Sequence, residues 1–322
     1  MTIQHKPFVV ALEEHYWDAE MVSHFTGREG KRLSTVQQRL EDHGALRLAE
    51  MDEAGIDMQV LSHGAPGAQK LDPEIAVRLA HETNDRLAEI VKVNPKRFSA
   101  FATLPTAHPQ SAADELERTV TKLGFKGAMV HGLTGGRLFL DGKQFWPVFE
   151  RAQALDVPLY FHPSFPHPGV TETYYQEYAA AFPELLGPAW GFTVETATQA
   201  IRLVLSGVLD AYPRVKIILG HLGEGLPFLL WRIDHALSRP GNAGLSFRDV
   251  FCEHFYLTTS GNFSTPALLC SVMELGVDRI LFSVDWPFVS NTQGTQWMER
   301  VPLCHEDKLK ILGENARQLL RI

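Results

Sequence analysis

Eight short apolar runs, each followed by a stretch with helical spacing, constrain this chain more than any other feature. They fall at residues 8–12, 58–61, 98–104, 127–130, 158–161, 215–219, 255–259 and 279–283. Most are continuously apolar rather than alternating, which is how strands read when both faces of a parallel sheet are covered. Between them, residues 73–93, 111–123, 145–155, 195–211, 265–275 and 305–320 carry amphipathic helical patterns. Asp72 before Pro73 and Thr265 before Pro266 read as helix starts, and Gly55, Gly124 and Gly276 stand where helices should stop. Strands alternating with helices predict an α/β fold, a (β/α)8 TIM-type barrel, as one domain over residues 1–322. The segments 16–56 and 163–216 are too long for one crossover, so each predicts an inserted loop or helix over the C-terminal mouth. Residues 163–190, rich in Pro, Tyr and Phe, read as an aromatic lid.

Composition narrows the function by exclusion. The 322 residues carry a net charge of −8 with no clustered basic stripe, Lys31-Arg32 being trivial, so nucleic acid is not a predicted partner. Three cysteines, Cys252, Cys270 and Cys304, are odd in number and lack C-x-x-C spacing, so no disulfide framework is expected and a reducing cytoplasm fits. The first apolar run is only five residues long, too short for a signal peptide or a membrane span.

Chemistry in such barrels gathers at the C-terminal ends of the strands. The first run leads into Glu13-Glu14-His15, the fourth into His131, the fifth into His162, the sixth into His221 and the eighth into Asp285. Glu13 and His15, two apart on a strand, point to one face, while Glu14 points to the other. With His162 and Asp285 converging there, two imidazoles and two carboxylates suit one divalent ion, Mn²⁺ or Zn²⁺.

Several stretches together make the chain recognisable: Ala11-Leu12-Glu13-Glu14-His15, Phe161-His162-Pro163, Gly220-His221-Leu222-Gly223-Glu224-Gly225-Leu226-Pro227, Trp231-Arg232-Ile233-Asp234-His235, Thr259-Ser260-Gly261-Asn262-Phe263 and Phe282-Ser283-Val284-Asp285-Trp286-Pro287-Phe288. In this order they resemble the amidohydrolase superfamily, specifically its amidohydrolase-related, ACMSD-like branch of aromatic decarboxylases typified by γ-resorcylate decarboxylase. The resemblance implies that Glu13, His15, His162 and Asp285 are metal ligands and that His221 lies beside the metal. Two-metal members of the superfamily carry a modified lysine at the end of strand four. This chain has Val130-His131 there, which implies a single metal. The same resemblance implies an asparagine at the position of His131.

The expected reaction is nonoxidative decarboxylation of a hydroxylated benzoate. Protonation of the ring carbon that bears the carboxylate gives a dearomatised species that regains aromaticity by losing CO₂. The resemblance implies that Asp285 is the acid, and His221 is expected beside it, steadied by Glu224 three residues later. Arg232, His131, Trp286 and Phe288 are the candidate substrate contacts, the last two because they flank a ligand. The alternative is a hydrolase or hydratase that uses metal-activated water on a lactone, amide or carbon–carbon bond. The expected partners are a small aromatic carboxylic acid and further copies of the chain, as a homodimer or homotetramer.

Overall fold

The computed structural model describes residues 7–322. Its strands are β1 (Val10–Tyr16), β2 (Met58–His63), β3 (Phe98–Ala100), β4 (Ala102–Thr103), β5 (Ala128–His131), β6 (Leu159–His162), β7 (Ile217–Leu219), β8 (Phe255–Thr258) and β9 (Ile280–Leu281). All neighbours pair in parallel. β3 and β4 form one stave broken at Phe101, whose amide still bonds the Leu61 carbonyl while the next amide bonds Gly127. The ring closes where Glu14 bridges Trp286 in parallel and the His15 amide donates to the Trp286 carbonyl at 2.8 Å. Eight staves thus make the expected barrel.

The first stave runs further than its apolar run suggests, so Glu13 and His15 lie inside β1. β1 also carries an extra residue. Ala11 pairs with Gln59 and Glu14 with Leu61, so three steps on β1 match two on β2. Val10 and Leu12 pack in the barrel interior. Strict alternation from Leu12 would aim Glu13 outward. The bulge resets the alternation, and Glu13 and His15 face inward.

Side chains from the lower halves of the staves, among them Val10, Leu12, Val60, Phe101 and Ile218, fill the barrel interior, and the C-terminal helix Asn315–Leu320 plugs it with Ala316, Leu319 and Leu320. A larger apolar layer joins the outer faces of the staves to the helices. The Pro73–Val93 helix is capped as expected, the Asp72 side chain accepting from the Glu74 amide. The Thr265–Leu275 helix is not: Thr265 is its first residue, and its hydroxyl accepts from the Trp297 indole at 3.2 Å instead. Gly55 and Gly124 end their helices in the left-handed conformation, but Gly276 (φ +87°, ψ 153°) does not. The three cysteines are free.

Both long crossovers hold the expected insertions. The first contains the helices Ala19–Ser23, Ser34–Glu41 and Ala45–Ala54; the second contains short helical turns between Pro168 and Leu186. Arg28 Nη1 from the first reaches the Pro183 carbonyl of the second at 3.4 Å, so the two insertions meet. No helix among the described residues is long and apolar enough to cross a membrane.

Candidate metal centre

One ligand atom from each of Glu13, His15, His162 and Asp285 lies within 4.8 Å of the other three. His162 Nε2 is 3.4 Å from Glu13 Oε1, and His15 Nε2 is 3.4 Å from Asp285 Oδ1. Glu13 Oε1 and His15 Nε2 are buried and have no hydrogen-bond partner. Buried polar atoms are ordinarily satisfied, so a pair of orphans aimed at one point fits a cation. Ligand bonds of about 2.1 Å from each atom would fill the gap between them.

The other ends of these side chains are held. Glu13 Oε2 accepts from the Tyr160 hydroxyl and, at 2.8 Å, from Ser260 Oγ. Its immediate neighbour is Gly220, where a Cβ would stand 2.7 Å from Glu13 Oε2, so only glycine leaves room. His15 Nδ1 contacts Ser62 Oγ at 3.3 Å. His162 Nδ1 is 2.7 Å from the Pro163 carbonyl, which fixes the proton there and frees Nε2 to ligate. Asp285 has φ +75° and sits above Gly261, whose own φ is +59° and where a Cβ would come 3.2 Å from Asp285 Oδ2.

The charges follow from these neighbours. Burial opposes ionisation of Glu13, but His221, His162 and His15 outweigh it and hold the carboxyl well below its usual range. Burial keeps His15 neutral, lowering it to about 4. Burial and the neighbouring Glu13 carboxylate push Asp285 up to about 8. A bound cation would favour the ionised form of both carboxyls.

His221 stands beside the cluster, with Nε2 3.5 Å from Glu13 Oε1 and Nδ1 2.7 Å from Glu224 Oε1. Thr193 Oγ1 donates to the other Glu224 oxygen at 2.8 Å. Although burial acts the other way, Glu224 and Glu13 raise the imidazole to about 10. The backbone that allows this pair is unusual. His221, Leu222, Gly223, Glu224 and Gly225 all have φ between +53° and +82°. For L-residues that costs energy at each non-glycine step, and such strain persists only where the surroundings impose it. Here Leu222 N donates to Thr258 O at 2.7 Å, and Asn262 Nδ2 and Ser260 Oγ hold the two backbone ends of His221.

The four candidate substrate contacts are placed differently. Phe288 borders the mouth, its ring centre 5.9 Å from that of His15. His131 is buried behind His162, with the two Nδ1 atoms 3.0 Å apart, so it touches a ligand residue rather than open space. Trp286 is 1% exposed and lies against Arg47, its indole nitrogen donating to Glu50 Oε2 at 2.7 Å. That turns it away from the cluster. Arg232 is exposed on the Leu226–Leu237 helix and makes no hydrogen bond or ion pair with any cluster residue among those described.

Sequence reasoning missed several supports. Tyr160 lies two residues before His162 on the same strand, so the spacing that pairs Glu13 with His15 also marks it. Glu14 is not idle on the outer layer. Its carboxyl accepts from Ser283 Oγ, the Val284 amide, the Trp286 amide and Gln59 Nε2, lacing β1 to the loop that carries Asp285. Burial pushes it up to about 8. Arg47 beside it donates to the His15 carbonyl at 2.6 Å.

Residues 13–322 match the family described as amidohydrolase. A γ-resorcylate decarboxylase of Polaromonas sp. strain JS666 is 43% identical over 97% of this chain and 98% of its own. A crystal structure of a dihydroxybenzoic acid decarboxylase from that strain, with manganese and the inhibitor 2-nitroresorcinol, superposes with a TM-score of 0.89 at 42% identity, covering 98% of this chain and 97% of the other. A 2,6-dihydroxybenzoate decarboxylase in complex with 2,6-dihydroxybenzoate gives a TM-score of 0.89 at 40% identity, over 98% and 100% of the two chains.

Proposed function

Because the chain belongs to the amidohydrolase family, we propose that it is a metal-dependent decarboxylase releasing CO₂ from a hydroxylated benzoate of the γ-resorcylate type. The observation that carries the reading is the cluster of two imidazoles and two carboxylates with two orphaned ligand atoms, beside a histidine paired with a carboxylate.

Glu13, His15, His162 and Asp285 would hold one divalent ion, and the manganese in the Polaromonas structure makes Mn²⁺ the favoured choice. Bound there, the ion would offset the negative charge of a carboxylate and an ortho phenolate oxygen and hold the ring in one pose. The protein's own groups do the rest. His221, paired through Nδ1 with Glu224, presents Nε2–H as a donor to a substrate oxygen. Asp285, at the edge of the cluster with 17% of its side chain exposed, delivers the proton to the ring carbon that bears the carboxylate. The carbon–carboxylate bond then breaks, its electron pair restores the aromatic ring, and CO₂ leaves. The proton that Asp285 delivers is the one the ortho hydroxyl sheds on binding.

The test is product analysis in ¹⁸O-labelled water. Purified protein loaded with Mn²⁺ should convert 2,6-dihydroxybenzoate to resorcinol and CO₂, with no ¹⁸O in the ring product. Chelation should abolish the activity and Mn²⁺ should restore it. Cleavage of a pyrone dicarboxylate, with every hydroxybenzoate left untouched, would establish the hydrolase instead. We also propose a homo-oligomer joined through the Leu226–Leu237 helix, which exposes Phe228 (83%) and Trp231 (69%). Light scattering on the double variant Phe228→Glu, Trp231→Glu should show a smaller particle than the unaltered protein.

A further inference from the structure

We propose that Arg32 determines substrate specificity by receiving an anionic or hydroxyl substituent on the ring edge remote from the metal. The proposal rests on the decarboxylase reading and adds to it a second acceptor group on the substrate.

Arg32 lies in the inserted segment just before the Ser34–Glu41 helix. Its guanidinium carbon is 5.4 Å from the centre of the Trp17 ring and 5.8 Å from that of Phe288. Phe288 in turn meets His15 edge-on, so one aromatic side chain links the guanidinium to the metal cluster. The arm is pinned by backbone: Nη1 donates to the carbonyls of Arg28, Glu29 and Lys31 at 2.9, 3.3 and 2.8 Å. Among the described residues Nε and Nη2 have no hydrogen-bond partner, and the nearby carboxylates of Glu29 and Glu184 act on the group without forming an ion pair with it. Lys70 is paired with Glu29, and Arg47 with the His15 carbonyl and the Trp286 ring.

A guanidinium held between two aromatic faces, with donors left over, is preorganised for a planar acceptor. Two donors in a fixed fork suit a carboxylate best and a phenolate or hydroxyl next. The carboxylate that is lost and its ortho oxygen face the cluster, so the group that reaches Arg32 is on the opposite edge of the ring.

The test uses the full-length, Mn²⁺-loaded protein with Arg32→Met and Arg32→Lys. Two acids are compared: 2,6-dihydroxybenzoate and 2,6-dihydroxybenzene-1,4-dicarboxylate, which differ only in a remote carboxylate. Arg32→Met should raise KM for the dicarboxylate about tenfold or more while leaving KM for 2,6-dihydroxybenzoate within about twofold and both kcat values little changed. Arg32→Lys should fall between, with a steeper salt dependence. Calorimetric binding of the same two acids reads the contact without turnover. If no hydroxybenzoate is decarboxylated, the functional reading fails, yet selective loss of dicarboxylate binding in Arg32→Met still upholds the contact. Equal effects on both acids, or none, would overturn it.

Discussion

The two ends of the barrel interior are made by the same staves, often by residues one or two positions apart. At the lower end Val10, Leu12, Met58, Val60, Phe101, Met129, Ile218 and Leu281 close on Leu319 and Leu320. At the upper end Glu13, His15, His162, His221 and Asp285 crowd together with unsatisfied ligand atoms. The lower end stabilises the chain by burying apolar area. The upper end costs energy: charges are desolvated, and His221, Leu222, Glu224 and Asp285 sit in left-handed backbone. Tyr160 stands at the boundary, its ring in the apolar plug and its hydroxyl on Glu13. Activity and stability are therefore separable by position along a single strand.

Asp285→Asn would break the comparison most severely. It should lower kcat on the order of 10³-fold and reduce the bound manganese measured by plasma mass spectrometry, while the thermal midpoint stays level or rises. Full activity in this variant would remove Asp285 from the mechanism. Leu12→Ala does the opposite. Truncating this wholly buried side chain should cost about 3 kcal/mol in urea unfolding and leave the rate per folded molecule unchanged. Tyr160→Phe sharpens the boundary. Losing the hydroxyl should weaken manganese binding about tenfold, read by competition with a chelator, with little effect on stability.

The smallest effect is one of pH. In metal-free protein His221 is held at about 10, above its unfolded value near 6.5, so its stabilisation is complete below 6.5 and drains away as pH rises through 10. Glu224→Gln removes the largest favourable partner. The difference in thermal midpoint between the two proteins should be about 4 °C at pH 6 and should shrink toward pH 10, by differential scanning calorimetry with EDTA present. A difference that stays constant across that range would mean the pair is not charged.

Much of the barrel and of its candidate metal site is legible in the amino-acid sequence. The continuous apolar runs announce buried parallel strands because both faces of each stave are covered. The four candidate ligands stand out because chemistry in a barrel collects at strand ends. What is not legible depends on directions the one-dimensional pattern does not carry. Trp286 flanks Asp285 in sequence, but the positive φ at Asp285 and the Glu14 bonds turn the indole toward Arg47 and Glu50. His131 ends its strand as a substrate contact should, yet its register partner is His162, so it backs a ligand. Arg32 reads as half of a trivial basic pair because nothing local says that its loop folds back between Trp17 and Phe288.

The extra residue in β1 carries a consequence for how such a chain can change over generations. Below the bulge the strand keeps one parity and above it the other, so Leu12 and Glu13 both look inward. Point substitutions in this stretch alter one contact at a time. Loss of Leu12 would instead remove the bulge and make the alternation regular, with Glu13 and His15 still toward the axis, Glu14 still in the helix layer and one apolar side chain fewer beneath them. The extra residue is thus a spacer that fills the interior, and the strand could lose it without turning Glu13 and His15 away from the axis.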